Sequence, residues 1–506
     1  WTLQPDDGPW PPADPARWRH FGTDAPRWEL PPEARAALPQ ALRGELRLAR
    51  LDAQGRVLDS AALQVAGALD ALYARAESLM DYGAQPGAAD SRWRLWAPTA
   101  QAVALCLYRD DQGPAVAHHP LQRDDASGSW TLRRPGDARG LYYRYLVDVR
   151  VPGVGLVRQR VADPYSVSSG ADARRSHVSG LDEPAVTPPG WAADRAPDTV
   201  RHATDLTVYE LHVRDFSRDD RSVPAALRGR YAAFTQAGSH GMRHLRALAR
   251  AGLTDVHLLP VFDFGSVPET GCTTPALSGR GADPRPQARI GAVREHDCFN
   301  WGYDPVLYSA PEGAYSSRPH DGAARLRELR QMVMALHRAG LRVGMDVVYN
   351  HTFAAGQHAN AVLDRIVPGY YHRLDAQGRV ERSTCCDNTA TEHRMMGKLM
   401  EDSVLLWARA HHIDSFRFDL MGHQPRERME RLQQRLRAEL PDRVIPLIGE
   451  GWNFGEVADG ARFVQASQLG LNGSGIGSFN DRLRDAVRGG GAGDSGEALQ
   501  IGRAHV

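Results

Sequence analysis

Residues 398–420 read KLMEDSVLLWARAHHIDSFRFDL, an amphipathic helical pattern that runs directly into a short apolar strand. The same order recurs at 242–262, 326–350 and 426–450, and the strand-like LTVYELHV precedes the series. Helices that alternate with apolar strands predict a parallel sheet covered by helices.

The strands of this series end in polar residues, which favours a (β/α) barrel. The strand ends read HVRDF, PVFDF, YNHT, FRFD and GEGW. In a barrel, side chains at the carboxyl ends of the strands form the active site. A doubly wound open sheet is the alternative, but no Gly-rich phosphate turn follows the first strand.

The segment before the barrel is rich in short alternating strands. GELRLARLDAQGRVLDSAALQV reads as two strands around a turn at Gln54-Gly55, and LDALYARAESLM as a helix. We predict a multidomain chain, with N-terminal β-sandwich-like domains followed by an incomplete (β/α)8 TIM barrel. The predicted segments are a β-rich unit at 1–86, a β-sandwich at 87–170, a linker at 171–204, the barrel at 205–500 and a separate tail at 501–506.

Composition limits the classes of partner. The 506 residues carry 61 Lys and Arg against 61 Asp and Glu, a formal net charge of zero. This balance does not indicate nucleic acid or an anionic membrane as partner, and a neutral ligand fits better. No run of about twenty apolar residues occurs, so no transmembrane helix is expected.

The five cysteines show no zinc-binding spacing. Cys272 and Cys298 flank one long loop and could be bridged. Cys385 and Cys386 are adjacent, and we expect them to be free or strained.

Two carboxylates at neighbouring strand ends, Asp419 and Glu450, are candidates for glycoside hydrolysis, which needs a nucleophile and a general acid. Adjacent strands lie roughly 4.8 Å apart, which is compatible with the roughly 5 to 5.5 Å between the carboxyls of retaining enzymes. Arg417 shares the face of Asp419 and would keep it ionised. Glu450, before Gly451 and Trp452, is expected in drier surroundings that raise its pKa. The alternative is an Arg-Asp pair that only closes the barrel mouth.

For other polar residues near these strand ends, the sequence gives weaker indications of a functional role. Asp346, Asn350 and His351 end the third strand, but a single His makes a metal site unconvincing. His351 is interpreted as a substrate contact or as a structural histidine. Tyr303, in the loop FNWGYDP, could stack on a sugar or simply pack under the loop.

Four ordered motifs, FNWGYDP, DVVYNHT, DSFRFDLMG and GEGW, resemble those of the α-amylase superfamily in the form carried by pullulanases and limit dextrinases. STCCDNTATEH, LWAPTAQ and LRDAVRGGG also look like pullulanase-type segments, so the resemblance covers essentially the whole chain. It implies an endo-acting, retaining hydrolase of α-1,6 branch linkages in pullulan, amylopectin or limit dextrins. It also implies that 1–86 is part of a pullulanase-type N-terminal β domain and that 87–170 is the carbohydrate-binding-like sandwich of debranching enzymes.

The resemblance assigns roles residue by residue. Asp419 would be the nucleophile and Glu450 the general acid/base. Arg417 and His351 would bind around the cleaved sugar, Tyr303 would stack on it, and Trp452 would line the leaving side. The chemistry requires no cofactor. A structural calcium ion is compatible with the family, without assignable ligands.

The sequence departs from the family pattern in two places. Phe299 stands where Tyr is expected, which removes one hydroxyl. The family's third carboxylate, an Asp preceded by His at the seventh strand, has no counterpart after Glu450. His296-Asp297 and His320-Asp321 precede the nucleophile and do not fill that role.

The chain also stops near the sixth barrel strand and closes in IGRAHV, which can be spelled ATC-GGA-AGA-GCA-CAC-GTC, like a common sequencing adapter. We therefore expect a truncated gene model whose 506-residue product is inactive or nearly so.

Two alternatives remain at this stage. One is an isoamylase-like debranching enzyme that prefers glycogen, and the other is a non-catalytic glucan-binding protein on the same fold. A monomer is expected. The location is left open: export is favoured over a cytoplasmic location because substrates of this class are external polymers, but related enzymes also work inside cells on storage glucan.

Overall fold

The computed structural model describes residues 1–6, 27–279 and 281–490, so the predicted tail at 501–506 lies outside the described residues. The described part of the N-terminal region contains two small antiparallel sheets and two helices. Its elements are β1 (Gln4–Pro5), β2 (Trp28–Glu29), α1 (Pro32–Ala41), β3 (Arg47–Leu51), β4 (Val57–Ala62) and α2 (Ala66–Leu72). The pair β3–β4 confirms the predicted hairpin. The predicted helix at 69–80 is shorter than expected, since α2 gives way to a 3-10 turn at Ala74–Ser78.

The next region is a sandwich of two antiparallel sheets, with strand orders β5-β6-β10-β9 and β12-β11-β7-β8. Its strands are β5 (Gly83–Gln85), β6 (Asp90–Trp96), β7 (Ala102–Tyr108), β8 (Ala115–Pro120), β9 (Gln122–Asp124), β10 (Ser129–Pro135), β11 (Tyr142–Val151) and β12 (Gly155–Val161). Buried aromatic side chains such as Trp93, Tyr143 and Tyr145 fill the space between the sheets. A further strand, β13 (Ser176–His177), comes from the predicted linker and pairs with β11, so this linker is also part of the sandwich.

The third region combines a parallel sheet, helices between its strands and short antiparallel strand pairs outside that sheet. Its elements are β14 (Val208–Leu211), α3 (His240–Arg250), β15 (Asp255–Leu258), β16 (Phe262–Phe264), α4 (Arg285–Val293), β17 (Pro305–Pro311), α5 (Gly322–Arg338), β18 (Arg342–Val347), β19 (His351–Thr352), β20 (Asp387–Asn388), α6 (Arg394–Ala410), β21 (Ser415–Phe418), α7 (Arg426–Glu439), β22 (Leu447–Gly449), β23 (Gly477–Ser478) and α8 (Asp481–Arg488). The sheet order β14-β15-β18-β21-β22-β23 follows the order of the chain, and every pair is parallel. A doubly wound sheet would reverse its strand order, so this topology is consistent with an incomplete barrel.

The two outer strands of this sheet, β14 and β23, have no further partner strand among the described residues. Val208 and Tyr209 on β14 are 38% and 40% exposed. On α8, Leu483 and Val487 are 64% and 65% exposed. Unpaired strand edges beside exposed apolar side chains are an association hazard.

Two disulfides are present. Cys272 is bonded to Cys298, as the sequence allowed. Cys385 is bonded to Cys386, so of the two expected states, free or strained, the free one is wrong. Among the described residues, no helix is both long and apolar enough to cross a bilayer.

A buried histidine joins the linker to the barrel. His337, near the end of α5, contacts Asp194 through Nδ1 at 2.8 Å and Asp414 through Nε2 at 3.0 Å. His412 also contacts Asp194, and Arg443 pairs with Asp414. Burial by itself would lower the pKa of His337, but the two carboxylates outweigh it and raise the pKa to about 9.

We therefore predict that the contribution of His337 to the free energy of unfolding is complete below about pH 6.5 and is lost as the pH rises through 9. The raised pKa of His337 corresponds to about 3 kcal/mol of unfolding free energy at most. Urea unfolding of wild-type protein and H337Q between pH 6 and pH 10 measures it. The stability difference between the two proteins should shrink across that range.

The exposed His118 provides the matched control, H118Q, which should follow the wild-type curve. A stability difference between wild type and H337Q that does not change with pH would contradict the assignment.

Candidate active site

The register of three parallel strands brings the predicted residues together. Asp346 on β18 lies opposite Arg417 on β21. Phe418 lies opposite Gly449 on β22, so Asp419 and Glu450 leave neighbouring strands at the same level. This is the edge at which a barrel presents its functional side chains.

One guanidinium group holds three carboxylates at this edge. Arg417 Nη1 lies 3.0 Å from Asp346 Oδ1 and 3.2 Å from Asp419 Oδ1, and Nη2 lies 2.8 Å from Glu450 Oε1. Burial alone would lower the pKa of Arg417, but these carboxylates raise it above its usual value. The predicted pairing of Arg417 with Asp419 is present, although Arg417 is shared with two further acids.

Asp346 is a member of this cluster that the sequence did not single out for catalysis. Burial raises its pKa to about 8, although Arg417 and a hydrogen bond from Tyr303 both act to lower it. The Tyr303 hydroxyl donates to Asp346 Oδ2. Asp346 is therefore occupied by Arg417 and Tyr303, which disfavours Asp346 as a metal ligand.

Asn350 and His351 form a hydrogen-bonded group next to Asp419. Asn350 Nδ2 donates to both the backbone oxygen and Oδ2 of Asp419, each at 2.9 Å. His351 Nδ1 lies against Asn350 Oδ1, and Nε2 lies 2.6 Å from the carbonyl oxygen of Tyr303. Burial lowers the pKa of His351. Asn350 thus positions Asp419, a role that its place beside His351 could have suggested.

Glu450 is held by Arg417 and by the backbone. The N–H of Leu420, a residue at φ 41°, donates to Glu450 Oε2 at 3.1 Å. The Glu450 side chain is 21% exposed and that of Asp419 14% exposed. The predicted drier surroundings of Glu450 are therefore wrong, because β22 presents its carboxylate to solvent and to Arg417.

Aromatic rings surround the cluster. Arg417 Cζ lies 5.9 Å from the centre of the Tyr303 ring and 5.6 Å from that of Phe479, which follows β23. Trp452 is partly buried two residues beyond Glu450 and lines a surface groove of about 980 Å³. Five predicted residues therefore share one polar network, namely Tyr303, His351, Arg417, Asp419 and Glu450, while Trp452 flanks it.

Two groups of described residues bring three possible metal ligands together. Asp263, Glu269 and Glu312 are fully buried, but Arg325 pairs with Asp263 and Glu269. That guanidinium already supplies positive charge, so the group is a poor fit to a calcium ion. The second group combines His351 of the candidate active site with Cys385 and Cys386 of a neighbouring loop.

Comparison with known proteins identifies relatives of all three regions. Residues 2–71 match the pullulanase N2 domain, and 81–166 match carbohydrate-binding module 48, the isoamylase N-terminal domain. A pullulanase of Klebsiella pneumoniae is 39% identical over 96% of this chain and 48% of its own length. Chloroplastic pullulanase 1 of Arabidopsis thaliana is 42% identical over 89% of this chain and 48% of its own. The chain thus spans about half the length of these relatives.

A solved structure shows the same fold. The maltotriose complex of PulA from Klebsiella pneumoniae aligns with a TM-score of 0.92 at 38% identity. The alignment covers 99% of this chain and 57% of that one.

We predict that R417M destabilises the protein by about 3 to 5 kcal/mol at neutral pH, because the half-buried Asp419 and Glu450 lose their shared counter-ion and Asp346 loses its hydrogen-bond donor. The loss should grow as the pH rises, since deprotonated acids then repel one another. Denaturant unfolding at pH 5, 7 and 9 measures it.

R409M is the matched control, because Arg409 is 64% exposed and its pairing with Glu439 spans 3.7 Å. Adding D346N to R417M should recover part of the lost stability, most of it at pH 9, because Asp346 loses its proton at high pH and then has no counter-ion. Equal stability of R417M and R409M would show that the cluster needs no counter-ion.

Proposed function

Because this chain is a homologue of the pullulanase-type debranching enzymes of the α-amylase superfamily, we propose that its barrel carries the chemistry of α-1,6-glucosidic bond hydrolysis. The substrates would be pullulan, amylopectin and limit dextrins. The observation that carries the proposal is the single guanidinium of Arg417 bridging Asp419 and Glu450 at adjacent strand ends.

In the proposed mechanism Asp419 is the nucleophile. Its carboxylate attacks the anomeric carbon while Glu450 donates a proton to the leaving glycosidic oxygen. Glu450 then accepts a proton from water, which attacks the same carbon and releases Asp419. Two displacements at one carbon restore its configuration, so the enzyme would be retaining.

The surrounding residues have supporting roles in this proposal. Arg417 and the Asn350 amide hold the Asp419 carboxyl group in its orientation. Tyr303 would stack on the sugar, and His351 would contact its hydroxyl groups. Trp452 would line the leaving side. No step uses a cofactor.

We also propose that chain 1–506 has little or no activity by itself. The support is physical: the six-stranded sheet has two unpaired edges, and among the described residues no His-Asp pair follows Glu450. A transition state without a third stabilising carboxylate loses tenfold in rate for about every 1.36 kcal/mol.

The central prediction is that chain 1–506 releases no maltotriose from pullulan, whereas the chain extended by the remaining barrel strands does. A chimera with the C-terminal part of the Klebsiella pneumoniae relative supplies the extension. Reducing-end assay and chromatography of the products measure the release.

In the chimera, D419N and E450Q should each abolish release, and D481N, at an acid outside the Arg417 cluster, should not. Release by chain 1–506 equal to that of the chimera would overturn the proposed inactivity but support the hydrolase. An inactive chimera that is folded would overturn the hydrolase and favour a glucan-binding role. Release from glycogen but not from pullulan would favour the isoamylase-like alternative.

The retaining mechanism makes a separate prediction. Proton NMR of the chimera's first products should show the α-anomer before mutarotation, because the configuration is inverted twice. Initial β-anomer would exclude Asp419 as a nucleophile and indicate a single displacement by water.

A further inference from the structure

The loop that carries the Cys385–Cys386 disulfide lies directly on the candidate active site. Its last residue, Asn388, pairs with His351 in the β19–β20 ladder. One ring nitrogen of His351 and the two sulfur atoms all lie within 4.8 Å of one another. Cys385 is exposed and Cys386 half-buried, so a dissolved reductant can reach the bond.

The loop is anchored by contacts that do not involve the disulfide. Ser383 donates to Glu456 Oε2, and Asn388 Nδ2 donates to Glu456 Oε1 at 3.0 Å. Arg373, fully buried, fixes Glu456 with a 2.7 Å ion pair. Reduction therefore leaves the two sulfur atoms beside His351.

The imidazole of His351 is suited to a second role. Its two nitrogens face the oxygen atoms of Asn350 and Tyr303. A neutral imidazole carries one ring proton and can donate to only one of them. The other nitrogen faces an acceptor oxygen without a hydrogen bond, so its lone pair becomes available to a metal ion when the ring turns away from that oxygen.

We propose that the reduced thiols of Cys385 and Cys386, together with His351, form a binding site for a soft divalent cation such as Zn²⁺ or Cd²⁺. Thiolate and imidazole are the ligands these ions prefer, and three protein ligands leave a fourth position for water. The site exists only in the reduced protein.

A dithiol can supply the electrons that reduce the Cys385–Cys386 disulfide. Two electrons and two protons pass to the Cys385–Cys386 bond, which breaks into two thiols while the dithiol closes to its own disulfide. Metal binding then forms two metal–sulfur bonds and one metal–nitrogen bond, and the two thiol protons leave to the buffer.

The test titrates chain 1–506 with Cd²⁺ after reduction with dithiothreitol and removal of the reagent without air. We expect one Cd²⁺ per reduced chain, seen as thiolate-to-cadmium charge-transfer absorption, and none in the oxidised chain. H351Q should weaken the binding at least about tenfold. Since no turnover is measured, the result does not depend on the proposed hydrolase activity.

Two double variants separate this site from the other cysteine pair. C385S/C386S should lose the absorption, whereas C272S/C298S should keep it at wild-type stoichiometry. The comparison of oxidised with reduced wild-type protein needs no substitution, so it stands even where a variant folds poorly. Equal Cd²⁺ binding by reduced C385S/C386S, or unchanged affinity in H351Q, would overturn the proposal.

Discussion

The positive charge of Arg417 is the constraint on which the candidate site depends. Three acids converge on one edge of the sheet, and without a shared cation their mutual repulsion and desolvation would oppose the fold. The guanidinium suits this task because its planar fork can bond separate carboxylates at once, whereas a lysine ammonium is a point charge. The same contacts hold Asp419 and Glu450 in place, so what stabilises the sheet edge also prepares the proposed chemistry.

Buried ion pairs and hydrogen bonds also connect the regions of the chain. His337 lies between Asp194 of the linker and Asp414 before β21. Arg325 on α5 donates to the oxygen of Gly170, the residue before the linker, and pairs with Glu269 of the barrel. Such buried pairs are costly to form and specific in geometry, so they define how the linker packs against the barrel. The β-sandwich is thus held against the barrel by a segment whose sequence shows no periodicity.

Part of the site was predictable from the sequence. The apolar strands ending in polar residues predicted which side chains share an edge, and Arg417 and Asp419 are close because they stand two residues apart at the end of β21. Asp346 and Asn350 were read only as an unconvincing metal site. Their role depends on which strand lies beside which, and the register that sets Asp346 opposite Arg417 is a long-range contact. The surroundings of Glu450 were predicted wrongly for the same reason, because exposure depends on the neighbouring strand and loops.

The sequence by itself determined the parallel helix–strand series, the hairpin and sandwich before it, and the identity of the acids at the strand ends. These follow from local periodicity and turn residues, which act over a few positions. Only the tertiary structure decided that one arginine serves three acids, that Asn350 holds Asp419, and that adjacent cysteines lie against His351. Those relations join residues far apart in the chain, and packing and hydrogen-bond geometry alone select them.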